Sequence, residues 1–481
     1  YNAALQLQPE HAHALCNAMH ASTWLARWRD RDSLLHRLRQ QLEWAARSER
    51  LTQQSVLVQA QPWHLLAYHP LPPWLPQLVA KAHAEAVLDS VAPHALRPEV
   101  GNLLTFTGNP SFKLRVAYLS SDFEHTHPVG QLMAHVFALH ARSHLHVTCF
   151  NTMAGQPNAP RASRQVMRGC DRFLHLDHTI AHGQLADILI DLNGYTEHAR
   201  LDLLAMRPAQ VQTLAIGYPG SLGGGLVDYL TVDSRSIWPS PRYRSGALGE
   251  RLVILPTFFL VADHGMSFPV LPPSNSAIDL EGRCAASSFS QAYKIQPQIL
   301  QTWLGALIRM PSHCTLELVL FDPASAALLH NEFTALGVSS RRLIWLPLLE
   351  RGAHLRRAAS AALSLDTPVY NQGTSGLDAL WAGLPLVTMP MHLWNSRMGI
   401  GLLRGISILA GQMHTFREIA DSVVHLLRRP SIRSSYQPEQ MGNAVSSSLS
   451  KSQSPAPFHD KHSTNTRRLA IEISIEELRT P

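Results

Sequence analysis

The chain has 481 residues, of which 45% are hydrophobic and 16% charged, with 41 Lys+Arg against 35 Asp+Glu for a net charge of +6. At roughly 150 residues per domain this length predicts about three domains, and the apolar fraction excludes a chain-wide disordered protein. Apolar runs are interrupted well before the roughly 20 residues a bilayer requires, so no transmembrane helix is expected. The basic residues are scattered and almost all Arg; the only lysines are Lys81, Lys113, Lys294, Lys451 and Lys461. That distribution argues against a nucleic-acid surface, while Arg suits carboxylate and phosphate recognition.

The sequence opens at Tyr1 with neither an initiator Met nor a signal-like stretch, which places the expected true N-terminus upstream and leaves targeting unread. Residues 1 to about 45 read as helix from the spacing of Ala4, Leu5, Leu7, Ala12, Ala14, Leu15 and Ala18, with a turn at Gln8, Pro9 and Glu10. Tyr1 to Pro9 resembles the closing half of a tetratricopeptide repeat; on pattern alone an ordinary helical hairpin fits as well. Residues 60–112 are rich in Pro and Trp and read as a connector with one helix near 75–89, followed by a loop over 101–110.

From Leu114 short apolar runs alternate with amphipathic stretches. Leu114–Ser120, His146–Asn151, Ala186–Leu192, Thr213–Tyr218 and Arg251–Leu255 read as strands; a second set covers Thr315–Phe321, Arg342–Leu346, Ala361–Leu365 and Leu384–Met389. Two such sets, separated at about 266–276, predict an α/β fold with two Rossmann-like parallel-sheet lobes. The predicted division is 1–50 helical remnant, 51–112 connector, 113–270 first lobe, 283–430 second lobe and 431–481 tail. In open α/β sheets the ligand sits at the carboxyl ends of the strands, so the cleft between lobes is the expected site. Residues 430–466 read as a flexible surface segment and Arg467–Leu478 as a short amphipathic helix.

The five Cys are odd in number, far apart and form no CxxC, which argues against a disulfide framework or zinc ribbon and fits a reducing compartment. The 27 His raise a metal hypothesis. His11/His13, His125/His127 and His144/His146 are paired, yet no HExxH and no Cys/His cluster with zinc spacing occurs, so no metal site is expected.

Several segments carry chemistry-bearing residues. Leu365 to Gly383 reads as a strand end at Asp366, a loop with Asn371 and Gly373, and a helix capped by Thr374 or Ser375 that stops at Gly383. A Gly/Thr/Ser turn opening a helix presents free N–H groups that suit a phosphate, although any α/β domain needs capped helices. Lys294, within Ser287 to Pro297, would neutralise a leaving diphosphate if it lay at a cleft; a solvated surface lysine is the plainer reading. Ser120 to Gly130 places Asp122, His125 and His127 after the first strand, as proton-transfer groups or as a capping Asp and loop His. Asp191 to Thr196, followed by Arg200 and Arg207, and Ile216 to Ser221 read as turns at strand ends.

Taken in order, these segments resemble the protein O-linked N-acetylglucosamine transferase family, which includes the SPINDLY proteins. The resemblance runs from Tyr1 to about Arg429 through Leu114 to Phe123, Asn193-Gly-Tyr-Thr196, Leu203 to Pro208, Gly217-Tyr-Pro-Gly220, Phe289–Ile295, Leu365–Pro368 and Asp378–Pro390. It implies a metal-independent, inverting glycosyltransferase of the GT-B type, preceded by tetratricopeptide repeats. The implied donor is UDP-GlcNAc, with no cofactor, and the acceptors are Ser or Thr hydroxyls of nuclear and cytoplasmic proteins. Neither nucleic acid nor membrane is an implied partner; upstream repeats offer a route to a homo-oligomer. By residue-for-residue match, Lys294 is the lysine that stabilises the UDP leaving group. Gln291 and Tyr293 are donor-site neighbours, Thr374 and Ser375 the diphosphate pair, and Asp378 the ribose contact. His354, with Arg351 and Arg357 beside it, matches the uracil segment, and Asp122 and His127 the two residues considered as proton acceptors.

The chain departs from the family pattern at several positions. Gln372-Gly-Thr-Ser375 stands where Gly-His-Thr-Thr is usual, so the donor-contacting His is replaced by Gly373. A residue is inserted before His127, and Val129, Ser290 and Met391 replace Thr, Asn and Gly. The tail beyond Arg429 matches poorly. Two other functions therefore stand beside O-GlcNAc transfer: protein O-fucosylation from GDP-fucose, and a scaffold that has lost turnover.

Overall fold

The computed structural model describes residues 1–8, 11–47, 56–92, 113–153, 162–176, 185–237, 249–256, 258–261, 264–268, 284–320, 322–405 and 413–428. The expected loop over 101–110, the junction beyond residue 268, the Ser-rich segment 430–466 and the terminal helix lie outside the described residues. The chain forms two compact units: one takes in Tyr1–Pro76, 235–238 and His264–Ser447, the other Gln77–Ser234 and Pro239–Asp263.

The latter unit contains a seven-stranded sheet: β1 (Leu114–Ser120), β2 (Leu145–Asn151), β3 (Arg172–His175), β4 (Ala186–Asp191), β5 (Ala209–Leu214), β6 (Tyr229–Asp233) and β7 (Arg251–Leu255). Their order is β3-β2-β1-β4-β5-β6-β7, and each neighbouring pair is parallel. Central strands covered on both faces read as unbroken apolar runs. Accordingly Val116, Tyr118, Ile188 and Ile190 of β1 and β4 are buried and pack with Phe123, Phe137 and Val147. Strand order reverses between β1 and β4, and the residues that leave these two strands are those with chemistry to offer.

Strands β1 and β7 fall on their expected limits. The strand expected at Thr213–Tyr218 instead ends at Leu214 and begins at Ala209. Ile216 takes a left-handed φ of 67°, and Gly217 turns its N–H back to the Ala215 carbonyl at 2.8 Å, so the chain leaves the sheet there. β3 and β6 were not expected; β3 has only four residues, none of them buried.

The other unit holds β8 (Ala285–Ser288), β9 (Thr315–Val319), β10 (Leu343–Leu346), β11 (Leu363–Leu365) and β12 (Leu386–Val387), in the order β10-β9-β8-β11-β12 and again parallel. Between β8 and β9 runs the helix Pro297–Ile308, with Pro at its first position, where a missing N–H costs nothing. Its Ile299, Leu300, Trp303, Leu304 and Leu307 form one buried stripe. Trp303 is 2% exposed, so Trp303→Ala removes about 3–5 kcal/mol.

The N-terminal helices Asn2–Leu7, Ala12–Trp24 and Arg31–Arg47 belong to this second unit. The expected break near Pro9 is joined by another after Trp24, where Ala26 is left-handed (φ 55°). Arg31 is buried; it donates to the His69 carbonyl at 2.6 Å and to Gln296, whose Nε2 donates to the Ala67 carbonyl at 2.9 Å. The connector helix expected near 75–89 spans Trp74–Val91.

The expectation against a disulfide framework is overturned. Cys149 is bonded to Cys170 and Cys284 to Cys314, leaving buried Cys16 as the free cysteine. Separations of 21 and 30 residues hide the pairing from the sequence. Parallel packing creates it: Cys284 and Cys314 sit just before the adjacent strands β8 and β9, where Thr315 N–H donates to the Cys284 carbonyl. Among the described residues, no helix is long and apolar enough to cross a membrane.

Candidate active site

In the five-stranded sheet the order reverses between β8 and β11, and the loops leaving these strands carry most of the expected donor residues. After β8, Gln291 caps the single turn Ala292–Lys294. Tyr293 is buried and Lys294 half-buried. The Lys294 ammonium donates to the Asn371 carbonyl at 3.3 Å and lies 4.0 Å from the centroid of the Tyr370 ring. Burial lowers its pKa to about 7, opposed by attraction to Asp366. A lysine so held gains a proton readily when an anion arrives.

The loop after β11 folds around Asp366. One carboxylate oxygen accepts from the Thr367 and Gln372 N–H groups at 2.8 and 2.6 Å, the other from the Thr388 hydroxyl at 2.6 Å. Burial raises Asp366 to about 6 in spite of these bonds. Asn371 donates to the Thr367 carbonyl and accepts from Gly399 N–H, each at 3.0 Å. The sequence marks Asp366 and Asn371 only as a strand end and a loop residue; their structural roles combine local bonds to Thr367 and Gln372 with the more distant Thr388 and Gly399.

Helix Thr374–Trp381 follows. Its cap is Gly373, not Thr374 or Ser375, which instead occupy the first turn, and no side chain caps the helix. This corrects the capping expectation: with no side chain at the cap position, the helix's leading N–H groups are left for an anion, which the helix dipole also favours. The expected stop holds, with Gly383 left-handed at φ 76°.

Asp378 lies one turn along, buried, where one oxygen accepts from Arg351 at 2.8 Å and from His264 Nε2 at 2.6 Å. Burial raises its pKa, but the His264 bond and the Arg351 charge outweigh that, and it stays below the usual carboxylate range. His264 is fully buried; nothing in a chain with 27 His distinguishes it beforehand. Arg351, His354 and Arg357 recur at three-residue spacing along helix Arg351–Ser360, which Glu350 caps through Gly352 and Ala353 N–H. His354 Nδ1 accepts from Arg357 at 3.0 Å and its ring meets Phe289 edge-on at 4.8 Å. Burial lowers the His354 pKa, so the imidazole is neutral at pH 7. An amine, an open helix start and a neutral imidazole beside an aromatic ring are the chemistry a nucleotide diphosphate calls for.

In the seven-stranded unit, the turns after β1 and β4 meet. Asn193 is 2% exposed; its oxygen accepts from Ser121 N–H at 2.9 Å. Its amide donates to Asp122 Oδ2 at 2.8 Å, Ser121 Oγ at 2.7 Å and Thr196 Oγ1 at 2.8 Å. Asp122 Oδ1 accepts from the Ser121 hydroxyl at 2.7 Å. His127 caps helix Pro128–Met133: its Nδ1 accepts from Val129 N–H at 3.3 Å and stands 3.9 Å from Asp122 Oδ2. One ring nitrogen of His127 is thus engaged by the backbone, and both Asp122 oxygens are engaged by Ser121 and Asn193. Below them Asp191 is buried and raised to about 6, held by Asn193 and Gly194 N–H. Asn193 and Asp191 were legible as turn residues, but not as the support of Asp122. Arg200 and Arg207 pair with Asp202 and Asp228.

Among the described residues one cluster of metal-ligating type occurs, Cys284, His313 and Cys314. It lies where β8 and β9 begin, away from Lys294, and its two sulfurs are bonded to each other.

Comparison with known proteins accords with this geometry. The model of glycosyl transferase family 41 matches residues 25–283 and 281–427. The probable UDP-N-acetylglucosamine–peptide N-acetylglucosaminyltransferase SEC of Arabidopsis thaliana is 31% identical over 396 residues, covering 79% of this chain and 40% of the relative. The Caenorhabditis elegans UDP-N-acetylglucosamine–peptide N-acetylglucosaminyltransferase is 24% identical over 520 residues, covering 83% and 44%. The chain thus spans less than half the length of these relatives. Among solved structures, a point variant of the Thermobaculum terrenum O-GlcNAc transferase shares the fold at a TM-score of 0.68 and 23% identity, covering 92% of this chain and 81% of that one. With motifs, strand order and family model in agreement over most of its length, the chain belongs to glycosyl transferase family 41.

Proposed function

We propose that this chain is the catalytic part of a protein O-GlcNAc transferase, moving N-acetylglucosamine from UDP-N-acetylglucosamine to Ser or Thr hydroxyls with inversion. The observation that carries the reading is Lys294, half-buried with a pKa near 7, bonded to the Asn371 carbonyl three residues before the helix whose leading N–H groups no side chain caps. In an in-line displacement the negative charge develops on the departing diphosphate. A lysine and a helix start answer that charge directly, so the reading requires no metal or other cofactor. The first turn with Thr374 and Ser375 would take the diphosphate, and His354 with Phe289 the base. Asp378, already bonded to Arg351 and His264, would take the ribose. The acceptor hydroxyl needs only late proton removal, for which Asp122 is the candidate and His127 its neighbour. Protein acceptors, nuclear or cytoplasmic location, and tetratricopeptide repeats before residue 12 belong to the same proposal.

The test is transfer by the purified chain to protein acceptors from UDP-N-acetylglucosamine and, separately, GDP-fucose, with Lys294→Ala alongside. The expected result is UDP-N-acetylglucosamine-dependent transfer that Lys294→Ala abolishes. Transfer from GDP-fucose alone refutes the donor assignment. Tight UDP binding without transfer refutes turnover and makes the substitution at Gly373 the first position to revert to His.

A further inference from the structure

The N-terminal helices do more than precede the five-stranded sheet. A run of rings leads from them to Lys294. The His64 and His20 imidazoles stack in parallel at 3.5 Å, and His20 is followed one turn on by Trp24 at 5.9 Å. Trp24 stacks on Tyr293, the residue before Lys294, at 5.3 Å with planes 7° apart. Tyr293 meets Tyr370 at 6.2 Å, and Trp63 meets the same Tyr370 edge-on at 5.6 Å. The Lys294 ammonium lies over that Tyr370 ring. Polar latches secure both loops to the same helical segment. Gln296, two residues after Lys294, is tied to Arg31 and to the Ala67 carbonyl. Asn395 receives Asn371 N–H at 2.9 Å and donates to the Leu66 and Val369 carbonyls, each at 2.9 Å.

We propose that Trp24 and Trp63 are positioning residues for Lys294: through Tyr293 and Tyr370 they shield its amine from water and aim it at the Asn371 carbonyl. This rests on reading Lys294 as the lysine that meets the donor diphosphate. The N-terminal helical segment is then one wall of the donor site, and loosening it loosens the lysine. Ring faces attract an ammonium while excluding the water that would otherwise solvate it. The titratable groups at Lys294 are Asp366 on the β11 loop and the rings of Tyr293 and Tyr370; the helical segment reaches it through Trp24 and Trp63 packed on those two tyrosines. His64 is held near 3 by burial and by His20, so the stack behind Trp24 carries no charge at neutral pH.

The proposal is tested without any glycosyl transfer. The full chain is acetylated with acetic anhydride over a pH series, and the midpoint of Lys294 modification is read by peptide mass spectrometry. Lys81, exposed on its helix, serves as the internal control. The wild-type Lys294 midpoint is expected near 7, against 10.5 for an ordinary lysine. Trp24→Ala and Trp63→Ala each raise it by a pH unit or more while the Lys81 profile stays put; Trp24→Phe, which keeps a ring on Tyr293, restores it. Trp24 is 37% exposed, so its truncation leaves the core filled. Should Trp24→Ala nevertheless lose its circular-dichroism signal, Trp63→Ala carries the test. A Lys294 midpoint unchanged in the folded alanine variants overturns the proposal. Wild-type chain that shows the expected midpoints but transfers no sugar overturns the functional reading and leaves the positioning role standing.

Discussion

If Lys294 receives the donor diphosphate, UDP affinity must fall with rising pH, and by an amount the structure bounds. In the free protein the amine has a pKa near 7, because burial outweighs the pull of Asp366. A bound diphosphate stabilises the ammonium, so above pH 7 binding takes up a proton. Well above pH 7 each pH unit is then worth about 1.4 kcal/mol, and because the amine is already half deprotonated at pH 7, raising the pH from about 7 to about 9 has a ceiling of roughly fiftyfold in Kd. Lys294 is half-buried, and solvent screening reduces this to roughly tenfold to thirtyfold. The neighbours do not share that window: Asp366, near 6, is already ionised and His354 is neutral throughout. The measurement is calorimetric titration with UDP between about pH 7.5 and 9, where the nucleotide phosphate is fully ionised, in two buffers of different ionisation enthalpy to count the proton. Lys294→Gln should bind more weakly and lose the slope. A Kd that stays flat across the window, or rises equally in wild type and Lys294→Gln, refutes the assignment. Without ligand the sign reverses. The folded pKa lies below the unfolded 10.5, so the unfolded chain holds the extra proton and stability rises as pH climbs between the two values.

Asn193→Ala removes four hydrogen bonds and strands the Ser121 N–H in the interior. It should destabilise the seven-stranded unit by about 2–4 kcal/mol in urea unfolding and reduce transfer by freeing Asp122; a loss under about 0.5 kcal/mol contradicts the network. Gly217→Ala sets a Cβ 1.7 Å from the Leu192 carbonyl oxygen, whereas Gly305→Ala meets nothing within 4 Å. The first should cost about 3 kcal/mol or more and the second, inside helix Pro297–Ile308, should gain about 0.5–1 kcal/mol, both read from thermal melts.

The sequence alone sufficed for the α/β class, for two lobes and for the approximate place of most strands, because buried parallel strands are continuous apolar runs and the helices between them are periodic. Lys294 stands out as one of only five lysines, although from the residues alone a solvated surface lysine is the plainer reading. The sequence failed on β3, β6 and β8, which lack a strong apolar signature, and on the cysteine pairs, which only the packing of neighbouring strands brings together. Asn193 and His264 act through partners about seventy to more than a hundred residues away, and Asp366 is tied to Thr388 at the end of the next strand, so no local pattern marks their roles. The 27 His illustrate the division best. Composition raised a metal, motif order singled out His127 and His354, and only packing showed His264 buried against Asp378, and His20 and His64 stacked behind Trp24. A side chain's type is written in the chain, but its pKa and its partners depend on burial and on neighbours that the fold supplies.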